Sequence, residues 1–272
     1  MQTRDPTPIG AKFLPPAFFG VHPEPVNITE DAFATQGWID HCKWQYRSMT
    51  SLYTGLRNAL KDLLGRNLLA QHLKMPRDEM AAVIERNGLV RALDVGGGFG
   101  DNFYLLAQHL VCYRTIYHVV DNARQCELGE RFFVKGLPDF FTQIPPDTEY
   151  DLAIVVGTLQ YIPDWKGFLK HLSTIADAVY MARTPLHMDG STFHTVQSIA
   201  PASGKSKGRK IGEANVTVIS EKELESVMTD CGYTLENSQL NTDYSHAFAR
   251  LPESHRNVAY VDKLWRAGPP MA

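Results

Sequence analysis

The sequence predicts an α/β fold: a Rossmann-like, mostly parallel sheet of seven strands, with helices on both faces and an antiparallel hairpin at its C-terminal end. An apolar run, 92–95, passes into four glycines within five residues and then into a helix-like segment, which is typical of a strand, a tight turn and a helix. Strand-like and helix-like segments then alternate, which indicates a covered parallel sheet. Two final strand-like segments, 233–240 and 246–251, are separated only by the turn residues 241–243, and this predicts the hairpin.

The chain before the glycine turn is predicted to form an extended arm and a helical cap, together residues 1–88. Six of the 16 prolines lie in residues 1–30, and prolines at this density prevent regular helices and sheets. Apolar residues at helical spacing follow from Thr29, and a second helical run covers 52–69. A third helix is predicted at 75–87, because a proline suits its first turn and a glycine follows its end.

The domain that contains the sheet is predicted to span 89–252, with a C-terminal tail at 253–272. Its other strands are predicted at 115–120, 140–144, 150–156 and 178–183, and its helices at 123–133, 165–175 and 221–231. The segment 198–214 is rich in glycine, serine and charge, which predicts a mobile insertion. Its basic residues are either solvated or able to close over a phosphate or carboxylate: Lys205, Lys207, Arg209 and Lys210.

Composition favours a small-molecule substrate and a cytoplasmic location. The 272-residue chain is 44% hydrophobic, which suits a globular protein with a sizeable core. A net charge of −3 provides no basic field to hold nucleic acid. The four cysteines are scattered, with no partner at metal-ligand spacing, so neither a metal site nor a disulfide framework is expected. No apolar run near the N-terminus has the length of a signal peptide or a membrane span.

The glycine turn has the spacing Asp94-x-Gly96-x-Gly98-x-Gly100, and Asp101 stands where a dinucleotide-binding turn has its third glycine. An acidic residue there also disfavours a pyrophosphate ligand, because like charges would meet. The spacing resembles motif I of the class I S-adenosylmethionine-dependent methyltransferases. The resemblance implies S-adenosyl-L-methionine as the cofactor, lying against a backbone without Cβ atoms and near a helix N-terminus.

Further cofactor residues are expected where the strands end, because ligands of open parallel sheets bind at their carboxyl ends. Asp121 closes the second strand and could accept hydrogen bonds from both ribose hydroxyls, or Asp121 and Asn122 could only cap the next helix. Gln143 and Ile144 could meet the adenine, or form a plain turn. The complete expected set is Asp94, Gly96, Gly97, Gly98, Asn102, Asp121, Asn122, Gln143, Ile144, Gly157, Thr158 and Leu159.

A narrower resemblance is carried by GTLQYIPD at 157–164, ARTPL at 182–186 and TVQ at 195–197. These segments resemble a poorly characterised group of bacterial methyltransferases, some of them associated with surface-polysaccharide or other biosynthetic gene clusters. The resemblance covers about Leu89 to Tyr233, and the basic insertion departs from it. Segment 157–164, which follows the fourth strand of the sheet domain, also resembles the general methyltransferase segment that lines both the cofactor and the acceptor, whereas the narrower group implies little about the acceptor.

The residues expected to act on the acceptor are Tyr161, Arg183 and His194. His194 is the candidate base, since neutral imidazole has a suitable pKa, although it could equally be an exposed loop histidine. Arg183 could bind an anionic acceptor with two hydrogen bonds, or form a structural ion pair. Tyr161 is expected to pack against the cofactor or the substrate. Four aromatic residues of the cap are core residues or part of the acceptor pocket: Trp38, Trp44, Tyr46 and Tyr53.

These observations predict methyl transfer to a small molecule, at oxygen, in a biosynthetic pathway. The alternative is a protein that uses the same cofactor for a non-methylating reaction or as a bound module. A nucleic-acid methyltransferase is disfavoured, because 157–160 lacks an Asp/Asn-Pro-Pro-Tyr/Phe segment. A dinucleotide oxidoreductase is disfavoured by the glycine spacing. No membrane partner is expected, and a homodimer and protein methylation stay open.

Overall fold

A computed structural model describes residues 17–28, 31–50, 73–107, 114–133, 137–200, 210–241 and 248–268. The strands are β1 (Ala17–His22), β2 (Val90–Val95), β3 (Thr115–Val120), β4 (Asp139–Phe141), β5 (Leu152–Val156), β6 (Ala178–His187), β7 (Phe193–Ile199), β8 (Gly212–Ser220), β9 (Tyr233–Asn241) and β10 (Val258–Ala267). The α-helices are α1 (Gln36–Thr50), α2 (Lys74–Asn87), α3 (Asp101–Ala107), α4 (Ala123–Phe132), α5 (Trp165–Leu172) and α6 (Glu221–Asp230).

The predicted fold class is confirmed. Seven strands form the main sheet in the order β4-β3-β2-β5-β6-β10-β9, and the first five of these are parallel. The strand β10 is antiparallel to both β6 and β9, so a C-terminal hairpin closes an otherwise parallel, Rossmann-like sheet.

Helices cover both faces of this sheet, and its central strands are accordingly buried along almost their whole length. On one face, α2 and α3 contribute to an apolar cluster that includes Met80 and Phe103. On the other face, α5 and α6 contribute to a second cluster that includes Leu169 and Met228. The central strand β5 is buried on both faces from Leu152 to Val155, which explains its continuous apolar sequence.

The predicted C-terminal boundary is wrong. The hairpin pairs β9 with 258–267, part of the predicted tail, and 248–251 form no strand. Trp265 and Lys263 of β10 are only 2% exposed, so this strand belongs to the core of the sheet domain. The turn-like residues 241–243 suggested a short connection, whereas the connection continues to residue 257.

The strand β6 is longer than predicted, because Pro185 does not end it. Pro185 pairs with Tyr260 of β10. On its other side, pairing with β5 has already ended at Ala182, so the missing N–H of the proline removes no hydrogen bond there. From Leu186 onward β6 pairs instead with β8. The strand therefore separates from β5 where the sheet's carboxyl edge begins.

Three strands form an antiparallel extension of the sheet: β1, β7 and β8. The prediction of an insertion at 198–214 is wrong at both ends of this segment, because 198–199 belong to β7 and 212–214 belong to β8. Neither strand is predicted from the sequence. Lys210 forms an ion pair with Glu213, whereas the other three basic residues lie outside the described part. The arm contributes β1, so part of it is strapped to the sheet edge.

The cap is partly described. Helix α1 begins at Gln36 rather than near Thr29, and the predicted helix at 52–69 lies outside the described residues. The third predicted helix is confirmed as α2, which Gly88 ends with φ 76° and an N–H bond to the carbonyl of Ile84. Among the described residues, no helix has the length and apolar character needed to cross a membrane.

Candidate functional site

The glycine turn follows β2, and its first two glycines pack tightly against the protein. Gly96 has φ 68°, and a Cβ added there would lie 2.1 Å from Oγ1 of Thr158. A Cβ at Gly97 would lie 2.6 Å from the carboxyl carbon of Asp94. Neither position can hold a side chain, since atoms at these separations overlap. The strand end at Val95 is thus held directly against the loop that follows β5.

The third glycine has space beside it in the described part of the structure. Gly98 has φ 57°, and among the described residues an added Cβ would meet only Oδ1 of Asp101, at 3.6 Å. Its N–H donates to Oδ2 of Asp121 at 2.9 Å, which joins the turn to the end of β3. The open side of Gly98 and the carboxylate of Asp121 are therefore neighbours, as a nucleoside site requires.

Helix capping is carried out by Asn122 rather than by Asp121. The side-chain oxygen of Asn122 accepts a hydrogen bond from the N–H of Gln125 at 3.2 Å, at the N-terminus of α4. Asp121 accepts from the N–H of Asn122 at 2.7 Å through its other oxygen. The two sequence interpretations thus divide between neighbours: Asn122 caps, and Asp121 faces the turn.

Asp94 and Asn102 form a buried network beneath the turn. Asp94 has no exposed surface, and it accepts hydrogen bonds from the Tyr117 hydroxyl at 2.8 Å and from Asn102 Nδ2 at 3.3 Å. Burial raises the pKa of Asp94 to about 7, although these two donors oppose the shift. The side chains of Asp94 and Asn102 therefore fix the turn from below.

Acidic groups converge at this end of the sheet. Burial raises the pKa of Asp101 to about 6, with Asp121 adding to the shift and Arg183 opposing it. Burial also raises the pKa of Asp121. Burial and the repulsion between neighbouring carboxylates make these groups resist ionisation. A nearby cation would stabilise their ionised forms. The electrostatics therefore favour a ligand with positive charge.

We expect Asp94 to make the free energy of unfolding depend on pH. Its folded-state pKa of about 7 exceeds the ordinary 3.8, so the unfolded chain ionises first and stability falls as the pH rises from about 4 to 7. Asp94→Asn stays neutral, so its stability relative to wild type is expected to increase by up to about 4 kcal/mol between about pH 4 and pH 8. Urea unfolding across this range measures the difference, and parallel profiles would contradict the assignment.

The loop after β5 begins with Gly157. Its φ is 66°, and among the described residues an added Cβ would contact only the Cβ of Arg183, at 3.8 Å. Thr158 packs beneath Gly96 and donates to the carbonyl of Val156 at 3.3 Å. The side chain of Leu159 is fully buried in the cluster with α5, so it belongs to the core and not to a ligand site.

The end of β4 agrees less well with the predicted adenine site. The strand ends at Phe141, three residues before the predicted end. Gln143 is exposed, and Ile144 packs against the core cluster that includes Leu169. The side chain of Ile144 therefore contributes to the core. Of the two residues predicted to meet the adenine, only Gln143 has its side chain on the surface.

Arg183 lies at a β-bulge where β6 leaves β5. Ala182 and Arg183 together oppose the single residue Asp262 of β10. Arg183 has φ 53°, a left-handed conformation that costs a residue with a side chain about 1–3 kcal/mol. The carboxylate of Asp262, which is 5% exposed, accepts the backbone N–H of Arg183 and so holds the bulge. No sequence signal identified Asp262, because its role depends on strand register.

Tyr161 is brought together with the extension and the cap. Its hydroxyl donates to Oε1 of Gln197 in β7 at 2.7 Å, and its ring meets that of Phe33 edge-on at 4.9 Å. Burial raises the pKa of Tyr161 to about 12, so the phenol stays protonated at neutral pH and is a donor rather than a base. Phe33, which the sequence reading missed, connects this wall to Trp38 at 5.1 Å.

His194 is not brought to this wall. It alternates with Gln197 along the regular pairing of β7 with β8, so the two side chains lie on opposite faces of the extension. Its Nδ1 lies 3.2 Å from the hydroxyl of Thr217, which is on its own face. The predicted grouping of His194 with Tyr161 and Arg183 therefore does not occur.

Helix α1 packs across the glycine turn and α4. Cys42 forms an apolar cluster with Phe99 of the turn and Leu128 of α4. Tyr46 stacks on Phe132 with ring centroids 3.8 Å apart, and Trp44 is 39% exposed. Tyr46 is thus a packing residue and Trp44 a surface residue, whereas Tyr53 lies outside the described part. Helix α1 therefore covers the turn at Phe99.

Neither protein-family models nor curated protein sequences match the chain. Three solved structures of similar fold are an S-adenosylmethionine-dependent methyltransferase from Clostridium acetobutylicum (13% identity, 80% of this chain and 100% of that chain, TM-score 0.48), the 1,6-didemethyltoxoflavin-N1-methyltransferase of Burkholderia thailandensis (14%, 98% and 100%, 0.47) and the glycopeptide N-methyltransferase MtfA (7%, 71% and 87%, 0.46). At these scores and identities the matches give no information on the reaction of this chain.

Proposed function

We propose that the protein binds S-adenosylmethionine at the glycine turn and transfers its methyl group to a small molecule. One observation carries the proposal: the open side of Gly98 lies beside the carboxylate of Asp121, which its N–H contacts at 2.9 Å. A nucleoside placed there would lie against bare backbone and present its ribose hydroxyls to Asp121.

The charges of the site also fit this cofactor. S-adenosylmethionine carries an ammonium and a sulfonium, and Asp94, Asp101 and Asp121 form an acidic surrounding whose pKa values are raised in its absence. When bound, the cofactor supplies an electrophilic methyl group on sulfur. The protein orients its ribose through Asp121, leaves room for it at Gly98 and Gly157, and excludes water with α1.

Oxygen as the methylated atom and a biosynthetic small molecule as the acceptor are parts of the proposal. Tyr161, Gln197 and Phe33 would form the acceptor wall, with the protonated Tyr161 hydroxyl as a hydrogen-bond donor. The unpaired cysteines of the described part, Cys42, Cys126 and Cys231, agree with the predicted cytoplasmic location.

Calorimetric titration with S-adenosylmethionine and S-adenosylhomocysteine tests the cofactor. Binding of both is expected, and binding of neither would overturn the proposal. Incubation of the protein with S-adenosylmethionine and pools of candidate acceptors then tests the reaction. Production of S-adenosylhomocysteine with a methylated product supports transfer, whereas a changed acceptor without S-adenosylhomocysteine would show a non-methylating use of the cofactor.

Affinity for S-adenosylmethionine is expected to rise about tenfold between about pH 5.5 and 7.5, because cation binding requires the ionised carboxylates. The pKa of Asp94, about 7, lies within this window, and the pKa of Asp101, about 6, lies near its lower end. The control ligand is 5′-methylthioadenosine, which has the nucleoside but neither positive charge. The same pH dependence for both ligands would contradict the role given to the acidic groups.

A further inference from the structure

We propose that Arg183 is the anion-binding residue of this site, that it takes a carboxylate-type group of a bound ligand, and that Asp262 is its positioning residue. The inference deepens the proposed function, on which it rests for the identity of the nucleoside. Arg183 is placed where β6 separates from β5 and turns toward β8, at the carboxyl edge of the sheet. Its Cβ is 3.8 Å from where a Cβ of Gly157 would be, beside the open space at that glycine.

The side chain of Arg183 lacks a partner within the described part of the chain. Its Nε is buried without a hydrogen bond, and no carboxylate of a described residue lies within 4.0 Å of its guanidinium, the distance of an ion pair. The positive charge of Arg183 lowers the pKa values of Asp101 and Asp262, but neither carboxylate forms an ion pair with its guanidinium. Within the described residues, the structural ion pair considered from the sequence is therefore not formed. A buried donor of this kind is costly unless a ligand supplies an acceptor.

The backbone at Arg183 is shaped for this position. Left-handed bulge positions usually hold glycine, and an arginine tolerates one only where its surroundings enforce it. Here the enforcing group is Asp262, which is 5% exposed and accepts the Arg183 N–H. The bulge redirects the side chain out of the alternation of β6 at the point where β5 has ended.

The anion can belong to either ligand. S-adenosylmethionine has a carboxylate at its methionine end, and the charges of Asp101 and of Asp94, which is buried beneath the turn, would act on the positive charges of the same zwitterion. The acceptor can also carry the anion. A carboxylate or phenolate acceptor needs no general base, which agrees with the placement of His194 on the other face of the extension.

The experiment compares wild type with Arg183→Met, which keeps an unbranched side chain and removes the charged guanidinium. Arg91→Met is the matched control, since Arg91 is exposed on β2 near the opposite, amino end of the sheet. Calorimetry measures the affinities of S-adenosylhomocysteine, of 5′-methylthioadenosine, which lacks the carboxylate, and of benzoate as a free anion. Benzoate is titrated into the protein with and without S-adenosylhomocysteine.

If Arg183 binds the carboxylate of the cofactor, Arg183→Met should lower the affinity for S-adenosylhomocysteine about tenfold or more. The affinity for 5′-methylthioadenosine should stay unchanged. If the anion belongs to the acceptor, Arg183→Met should leave the affinities for both nucleosides unchanged and lower the affinity for benzoate by a similar factor. The proposal is overturned if all three ligands keep their affinities. It is also overturned if the affinities for both nucleosides fall by the same factor while the affinity for benzoate stays unchanged. If wild type binds no nucleoside, the proposed function fails and benzoate alone decides the role of Arg183.

The positioning role of Asp262 is tested with Asp262→Asn and Asp262→Ala. Asparagine keeps an oxygen that can accept the Arg183 N–H, so anion affinity is expected to stay within about threefold of wild type. Alanine removes the acceptor and is expected to lower the same affinity about tenfold, as Arg183→Met does. Equal anion affinities in both variants, with both shown to be folded by circular dichroism, would remove Asp262 from the proposal.

Discussion

Replacement of Gly98 by valine is expected to lower the affinity for S-adenosylhomocysteine by about 100-fold or more. Among the described residues, a Cβ at this position would meet nothing closer than Oδ1 of Asp101, at 3.6 Å, so this part of the fold has room for the new side chain. Its methyl groups would then occupy the space beside Asp121 in which the ribose is proposed to lie. Steric overlap of this kind commonly costs about 1–3 kcal/mol or more.

The backbone itself is strained by the same substitution, because Gly98 has φ 57°. Gly88 provides the matched control: it has φ 76° at the end of α2, and an added Cβ there meets nothing within 4 Å. Gly88→Val and Gly98→Val should therefore each lower the free energy of unfolding by about 1–2 kcal/mol. Only Gly98→Val should lose the ligand. Equal affinities in the two variants would show that no nucleoside lies against Gly98.

The part of the candidate site formed by the glycine turn and Asp121 could be predicted from the sequence because it depends on local order. Asp94, Gly98 and Asp121 each stand at the end of a strand that its own apolar residues define. Once the strands are parallel and adjacent, their ends must meet at one edge. The 2.9 Å hydrogen bond from the N–H of Gly98 to Asp121 follows from this convergence of strand ends.

The acceptor half depends on relations that local sequence does not contain. Whether His194 or Gln197 faces Tyr161 is decided by the register of β7 with β8, and a shift of one residue would exchange their faces. The bulge at Arg183 depends on β10, a strand that the sequence reading placed in a tail. Pro185 was a local signal for the end of a strand that the long-range pairing of β6 with β10 overrode.

Asp121→Ala is expected to weaken S-adenosylhomocysteine by about 100-fold, because two hydrogen bonds from ribose hydroxyls to a carboxylate would be lost. The loss should be specific to the ribose. Wild type is expected to discriminate strongly between adenosine and 2′,3′-dideoxyadenosine, and the variant is expected to bind them about equally. A thermodynamic cycle of two proteins and two ligands isolates this contribution from any general weakening.

The neighbouring residue supplies the control for this cycle. Asn122→Ala removes the cap of α4, which accepts the Gln125 N–H at 3.2 Å, and should cost about 1 kcal/mol in the free energy of unfolding. It should nevertheless keep the discrimination between the two nucleosides, since the carboxylate of Asp121 remains. If Asn122→Ala loses discrimination and Asp121→Ala retains it, the capping residue rather than the carboxylate reads the ribose. Adjacent residues at one strand end would then have exchanged the roles that their hydrogen bonds indicate.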